Sequence, residues 1–332
     1  MRYLCLLLLA CTSFIHNQSW QKIQINGTAQ GTTYHITYYA PDTSVTRQQI
    51  DSILNKIDTS LSIYNPASLI SRFNNGDTGI TMDNHFKTVL EKSLQTWQQT
   101  NGIFDITVEP LVQAWGFGPK KITELPDSAT IRSLKNCVSS SLLIHKGNKL
   151  LKRKPCVKID VNGIAQGYSV DVLADFLEAH GIRNYLIEVG GEIRVKGHKQ
   201  PGNEKMKIGI EAPGEDDFQL SMINKIVVTD SGAITTSGSY RKFYESEGKK
   251  ISHIIDPRTG YSSQNELISV TVYANDAITA DAFDNALMVM GLHKALQFVE
   301  KRKDMAAHFI YRTPTGTISD TASSRFYKLL QK

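Results

Sequence analysis

At 332 residues, 41% of them hydrophobic, the chain has enough apolar material for one large domain or two closely fused ones, and too much for a disordered polymer. A formal charge of +5 is small for this length, and the densest basic run, Lys152-Arg153-Lys154, sits between two apolar stretches like the exposed tip of a hairpin; both speak against nucleic acid as a partner.

In chain order, Arg2 precedes the apolar run 3–10, which has the size of a signal-peptide core and is too short to span a bilayer. Leu8-Leu9-Ala10-Cys11 resembles a lipobox, whose cleavage leaves a lipidated cysteine; the plainer alternative is an ordinary secretory signal in which Cys11 is incidental. The expected organisation is a signal peptide over 1–10, a polar lipidated tether over 11–20 and one domain over 21–332. The product is exported to the periplasmic side and anchored there, at the inner membrane, through lipid on Cys11. Outside the signal only Cys137 and Cys156 remain, and a disulfide and two buried thiols both suit them. With no C-x-x-C present, neither is given a catalytic or metal role.

Alternating apolar residues at Ile23, Ile25, Tyr34, Ile36 and Tyr38 predict two strands interrupted over 27–31, where glycines imply a close backbone approach. Helical spacing follows over 46–61 and again over 84–99, with Gly102 near the second end. After 102–105, an ordinary helix-to-strand turn unless it closes over a ligand, short strands are expected at 142–144, 149–151 and 157–159. A helix then carries Tyr168, Val172, Leu173, Phe176 and Leu177 on one face, with Gly181 as its cap. Alternation returns around Gly190-Gly191 and near Ile208, Met222, Val227, Ile254 and Val270; helices over 277–291 and 292–301 and a strand over 306–311 close the pattern. Strands grouped in meanders with helices between groups predict α+β, with mixed or antiparallel sheets and packed helices, rather than a doubly wound sheet.

Phosphate-loop, dinucleotide, zinc-protease and nucleophile-elbow signatures are absent, and nine histidines are scattered without ligand spacing. What remains is a stretch of small donors, Thr235, Thr236, Ser237 and Gly238, able to cradle an anion, followed by His253, Asp256, Arg258 and Thr259. Hydroxyls, one imidazole and one guanidinium suit phosphate better than acyl transfer, because phosphate calls for many donors and a base rather than a protein nucleophile. Asp160-Val161-Asn162-Gly163 leads into a helix start, where outward amides favour an anion; Asp160 as a mere turn acceptor is the blander reading. Asp281 and Asn285, four apart on one helix face, offer oxygens to a hard cation such as Mg²⁺, against the reading of a solvated polar stripe. Tyr64 is placed to stack on an aromatic ligand, or to serve as an ordinary rim residue.

Eight blocks in order, from G-T-T-Y at 31–34 and S-I-Y-N-P at 62–66 through G-I-F-D-I-T-V-E-P-L-V and A-W-G-F-G, D-V-N-G-I-A-Q-G-Y-S-V-D, V-G-G-E, T-T-S-G-S-Y and H-I-I-D-P-R-T-G to A-D-A-F-D-N-A-L-M-V-M-G at 280–291, together resemble the ApbE family of FAD:protein FMN transferases. The resemblance implies an ApbE-like, T-fold-related architecture, FAD as substrate, Mg²⁺ on its diphosphate, and transfer of FMN to a threonine hydroxyl with release of AMP. It implies that Tyr64 stacks on the isoalloxazine, that Gln30, Ile103, Phe104 and Asp105 line the pocket, and that Asp160, Gln166 and Ile255 contact FAD. Thr236, Ser237, Gly238 and Arg258 belong to the same ligand wall. Gly163, Asp281 and Asn285 would hold the metal, and His253 would deprotonate the incoming hydroxyl. The family usually has Met, Lys and Thr where Gln30, Gln166 and Asn285 stand, so a cation near the phosphates is missing. The implied acceptors are flavoprotein domains exposed outside the cytoplasm, of the Nqr/Rnf type. Two other activities fit the same residues: hydrolysis of FAD to FMN and AMP, and FAD binding without catalysis. Asp127-Ser128-Ala129-Thr130 loosely resembles an acceptor motif but reads better as a helix N-terminus.

Overall fold

The opening strands β1 (Gln21–Ala29) and β2 (Thr32–Ala40) pair antiparallel around a two-residue turn in which Gln30 and Gly31 both take positive φ, 54° and 74°. The expected interruption over 27–31 therefore shrinks to that turn. Gly27 continues β1 and is a glycine because a Cβ there would run into the ring of Tyr34. The computed structural model describes residues 20–213, 220–239, 243–246 and 249–331, so the expected signal peptide, Cys11 and the tether up to residue 19 lie outside the described residues.

Past the hairpin come α1 (Arg47–Leu61), α2 (Leu69–Asn75), β3 (Gly79–Thr81), α3 (Asn84–Gln99), α4 (Glu109–Ala114) and α5 (Ser128–Lys135). Next are β4 (Leu143–Lys146), β5 (Lys149–Lys152), α6 (Ala165–Ala179), β6 (Tyr185–Val189), β7 (Glu192–Lys196), β8 (His198–Lys199), β9 (Glu204–Pro213), β10 (Leu220–Thr229) and β11 (Ser231–Gly238). The chain closes with β12 (Phe243–Ser246), β13 (Lys249–Ser252), β14 (Leu267–Ala274), α7 (Ala277–Met290), α8 (Leu292–Glu300), β15 (Met305–Arg312) and β16 (Ile318–Ala322). Caps set the helix starts: Thr46 and Gln49 form a reciprocal capping box on α1, and Asp83, Asp127 and Asp276 accept first-turn N–H groups of α3, α5 and α7.

Among the described residues the strands form an antiparallel eight-stranded sheet in the order β1-β2-β6-β7-β11-β14-β15-β16, with smaller sheets β10-β9-β8, β3-β5-β4 and β12-β13. The fold is thus α+β, as the grouping of strands predicts. Because side chains alternate across a strand, β2 sends Tyr34, Ile36 and Tyr38 into a core with α1 and α6, and Tyr39 to the opposite face, against Met206, Ile208 and Val227 of the small sheet. A third core, with Phe283 and Leu287 of α7 against Val270, Val272 and Phe309, sits beneath the sheet's far half.

Four expectations change. The segment 157–159 makes no ladder, because Asn74 occupies both backbone groups of Ile159, donating Nδ2–H to its carbonyl and accepting its N–H, each at 2.8 Å. Strand β3 takes the third place in that sheet instead. The turn at 102–105 leads into the 3-10 turn Ile106–Val108 and α4, not a strand, and the strand expected near Ile254 is β13, which ends two residues before it, beyond which Ile255 makes only an isolated bridge to Ser262. Lys152 ends β5 rather than capping a hairpin: its Nζ donates to the Gly76 carbonyl at 2.7 Å and lies 4.6 Å from the Phe73 ring centroid. Burial there pulls its pKa down to about 8, with Lys158 adding to the effect. Cys137 and Cys156, left open by sequence, are joined in a disulfide.

Candidate active site

The N-terminus of α6 meets the flank of α7 with almost no space between them. Ile164 caps α6 without a side-chain hydrogen bond, and the Gly167 N–H instead donates to Oδ2 of Asp281 at 2.8 Å. A Cβ at Gly167 would stand 2.7 Å from that of Asp281, so only glycine permits the approach. One turn on, Asp171 accepts the N–H groups of Ala277 and Ile278, both at 2.9 Å, and pairs with Arg194 on β7. Gly167 and Asp171 are four apart on α6 and face α7 together, a pairing whose signal in the sequence is their i, i+4 spacing.

Asn285, one turn along α7 from Asp281, completes an oxygen-rich junction. Its amide nitrogen donates to Oδ1 of Asp284 at 2.9 Å and to the carbonyl of Asp281 at 3.1 Å, and lies 3.5 Å from the carbonyl of Gly163. Its oxygen accepts from the hydroxyl of Ser237 at 3.3 Å. The three residues expected to hold a metal are therefore brought together, with Ser237 added. Asp281 is completely enclosed, and burial, reinforced by the Asp171 charge against the Gly167 hydrogen bond, pushes its carboxyl up to about 7. Among the described residues no three His, Cys, Asp or Glu side chains converge as a metal-binding group, so any cation here relies on one carboxylate plus carbonyl and amide oxygens.

The residues Thr235 to Gly238, expected to cradle an anion, lie in β11, paired with β14 in the middle of the sheet. Their β-branched run suits a pleated strand, and Thr236 spends its hydroxyl on that of Thr271 at 2.9 Å, leaving Ser237 as the one that reaches the junction. Gln30 is likewise engaged, donating to the hydroxyl of Ser169 on α6 at 2.8 Å. Gln166 lies over the β6–β7 turn, its amide nitrogen 2.7 Å from where a Cβ of Gly190 would be.

A second wall forms where the Asp160 turn meets the segment after α3. The Tyr64 ring is 59% exposed, and its phenol pKa is raised by burial of the hydroxyl end and by the Asp160 charge, while a hydrogen bond with Asn162 opposes both. Asp160 accepts the Asn162 N–H at 2.8 Å and donates its own to the Ile106 carbonyl at 2.8 Å, so the two walls are stitched through the backbone. Asp105 is a brace: its carboxylate accepts from the N–H and hydroxyl of Thr107 at 2.9 and 2.6 Å and of Ser140 at 2.9 and 2.8 Å. Phe104 is buried and Ile103 packs against the same cluster.

His253 lies 6.2 Å from Phe117, centroid to centroid, and its neighbour Ile254 packs with Phe283 and Leu287 of α7. The segment is locked from the other side, where Nε1 of Trp115 donates to the Gly260 carbonyl at 2.8 Å and the Tyr244 hydroxyl to the Trp115 carbonyl at 2.9 Å. Ile255 is buried in the cluster of Leu111, Trp115 and Ile131. Arg258 forks Asp256 through Nε at 3.0 Å and Nη2 at 2.8 Å, so the cation expected to assist the phosphates is already balanced by a carboxylate.

With this geometry in place, similarity to known proteins is specific. Residues 30–309 match the ApbE family. The FAD:protein FMN transferase of Vibrio cholerae is 34% identical over 319 residues, covering 94% of each chain, and that of Haemophilus influenzae 35% identical over 323 residues, covering 93% of this chain and 92% of the other. The solved flavin transferase ApbE from V. cholerae superposes with a TM-score of 0.84 at 32% identity, covering 94% of this chain and 100% of that one. The apo Pseudomonas stutzeri flavinyl transferase ApbE does so at 0.83 and 31%, covering 93% and 97%. The chain belongs to the ApbE family.

Proposed function

We propose that this chain is a flavin transferase that takes FAD and moves its FMN half onto a threonine hydroxyl of an acceptor protein, releasing AMP. The observation that carries the reading is the junction of Gly163, Asp281, Asn285 and Ser237 at the start of α6; His253, Tyr64 and Asp160 are proposed to complete the site around it. Mg²⁺ fits the junction for three reasons. The donors are hard oxygens; among the described residues the enclosed Asp281 carboxylate has no cation beside it to match Arg194 at Asp171; and a Cβ at Gly163 would stand 3.2 Å from the Asn285 amide, filling the gap that glycine leaves. The Gly163 carbonyl, the Asp281 carboxylate and the Asn285 amide oxygen would hold the ion, Asn285 turning its amide to present oxygen. When bound, magnesium supplies neutralisation of the diphosphate and of the charge that gathers on departing AMP.

The side chains then have separable tasks. His253 takes the proton from the acceptor hydroxyl, whose oxygen bonds to the FMN phosphorus while the bond from that phosphorus to the bridging oxygen breaks, its electron pair leaving with AMP. Tyr64 holds the flavin ring by stacking, and Ser237 and the α6 amides orient phosphate oxygens. The proposed acceptors are exported flavoprotein domains of the Nqr/Rnf type, with the enzyme tethered on the periplasmic side by lipid on Cys11. The Cys137–Cys156 disulfide supports an oxidising compartment.

Incubating the purified protein with FAD, Mg²⁺ and a threonine-bearing acceptor domain tests the proposal. The expected result is an acceptor heavier by FMN together with free AMP. AMP without acceptor labelling would replace transfer by hydrolysis, and unchanged bound FAD would remove catalysis altogether.

A further inference from the structure

The first turn of α4 holds a buried carboxylate oxygen that no hydrogen bond among the described residues accounts for. Glu109 is 7% exposed, and its Oε2 is enclosed with no hydrogen-bond partner among the described residues. A buried acceptor left unpaired costs about 1–3 kcal/mol, and more when charged, so it marks a place where a donor arrives from outside the chain.

Its surroundings say which donor. The segment before it is fixed by the Asp105 brace on Thr107 and Ser140, and the Ile106 carbonyl is tied to the Asp160 N–H at 2.8 Å, so α4 begins beside the Asp160 turn. Burial raises the Glu109 pKa, opposed by the charge of Lys158 and reinforced by that of Asp160, with Lys120 and Lys152 further contributors. Asp160 also acts on the Tyr64 phenol, and its N–H is bonded to the Ile106 carbonyl three residues before Glu109, so the start of α4 and Tyr64 are both neighbours of the Asp160 turn. Lys152 is committed to the Gly76 carbonyl and the Phe73 ring, so of the three ammonium groups whose charge acts on the carboxylate it is Lys158 and Lys120 that have no such tie among the described residues. A carboxylate flanked by ammonium groups presents donor, acceptor, donor. The imide edge of an isoalloxazine presents the complement: carbonyl, N3–H, carbonyl.

We propose that Glu109 is a specificity-determining residue whose buried oxygen accepts the flavin N3–H, with Lys158 donating to an adjacent carbonyl. The inference rests on the reading that this site binds FAD, and it adds a contact that selects the flavin ring by its imide edge. Ribityl and ribose hydroxyls are the competing donors, and the probes below separate them.

The full, disulfide-intact chain is titrated with FMN, N3-methyl-FMN and AMP, each with Mg²⁺, for wild type, Glu109→Ala and Glu109→Gln. Wild type is expected to bind FMN about tenfold or more tightly than N3-methyl-FMN, the worth of one hydrogen bond to a charged acceptor. In Glu109→Ala that preference collapses to about twofold or less while AMP affinity stays unchanged; Glu109→Gln, which keeps an acceptor, retains part of it and carries the test should the alanine variant fail to fold. A preference that persists in Glu109→Ala, or none in wild type, overturns the assignment. Wild type that binds neither FAD nor FMN would overturn the flavin reading itself, a result distinct from equal binding of FMN and its N3-methyl form.

Discussion

Gly167 and Asp281 hold the two helices of the site together: the Gly167 N–H donates to the Asp281 carboxylate at 2.8 Å, and a Cβ at Gly167 would meet that of Asp281 at 2.7 Å and press on the Ala277 carbonyl as well. Helix propensity alone would favour alanine there by about 1 kcal/mol. The clash is with backbone, which has no rotamer to yield, and overpacking of this kind costs about 1–3 kcal/mol, so the clash wins. Gly167→Ala is therefore expected to lower the urea midpoint of unfolding and to weaken Mg²⁺-dependent activity. An unchanged or raised midpoint would show that α6 and α7 can separate freely.

His253 is half-buried against Phe117, and its segment is also anchored through Gly260 and Ile254. Removing the imidazole leaves those anchors in place. His253→Ala should bind FAD with wild-type affinity and transfer FMN about a hundredfold or more slowly, the usual scale of a lost general base. Transfer at the wild-type rate would take His253 out of the mechanism.

His308 supplies a pH dependence remote from the site. It is 1% exposed in β15, its Nε2 is 3.0 Å from Oδ2 of Asp320, and burial holds its pKa below the ordinary 6.5 despite that carboxylate, with Lys225 also opposing protonation. A base whose folded pKa is depressed resists a proton that the unfolded chain accepts, so stability is retained above the ordinary histidine pKa and falls as pH drops below it. Asp320, itself lowered, loses its contribution only at more acidic pH. Thermal unfolding at stepped pH should show a loss beginning near the histidine range in wild type and flattened there in His308→Gln; identical profiles would assign the acid sensitivity elsewhere.

Much of this architecture was legible in the sequence where one periodicity ran unopposed. α1 and α3 carry strong amphipathic spacing and side-chain caps, and both appear where expected. The seven-residue α2 was not legible, being too short to establish a period, and 157–159 misled because a side-chain amide from Asn74, far away in sequence, does the work of a neighbouring strand. The metal-binding expectation at Gly163, Asp281 and Asn285 came from oxygen types at helical spacing and from family resemblance, and the fold brings all three together. Ser237 was anticipated as one of a run of donors cradling an anion, whereas it alone of that run reaches Asn285, from a central strand. Glu109 was hidden, since an acid just before Pro110 in a first helical turn looks like ordinary dipole compensation.

The central claim is that the α6–α7 junction holds the cation that makes flavin transfer possible, and Asp281→Asn probes it most directly because the amide keeps the shape and an acceptor for Gly167 while removing the only carboxylate of the proposed metal set. Intact mass of a threonine-bearing acceptor is followed during incubation with FAD across a Mg²⁺ titration. Wild type should add FMN in a Mg²⁺-dependent manner, and Asp281→Asn should leave the acceptor unlabelled at concentrations that saturate wild type. Full labelling by Asp281→Asn at the wild-type Mg²⁺ requirement would contradict the account.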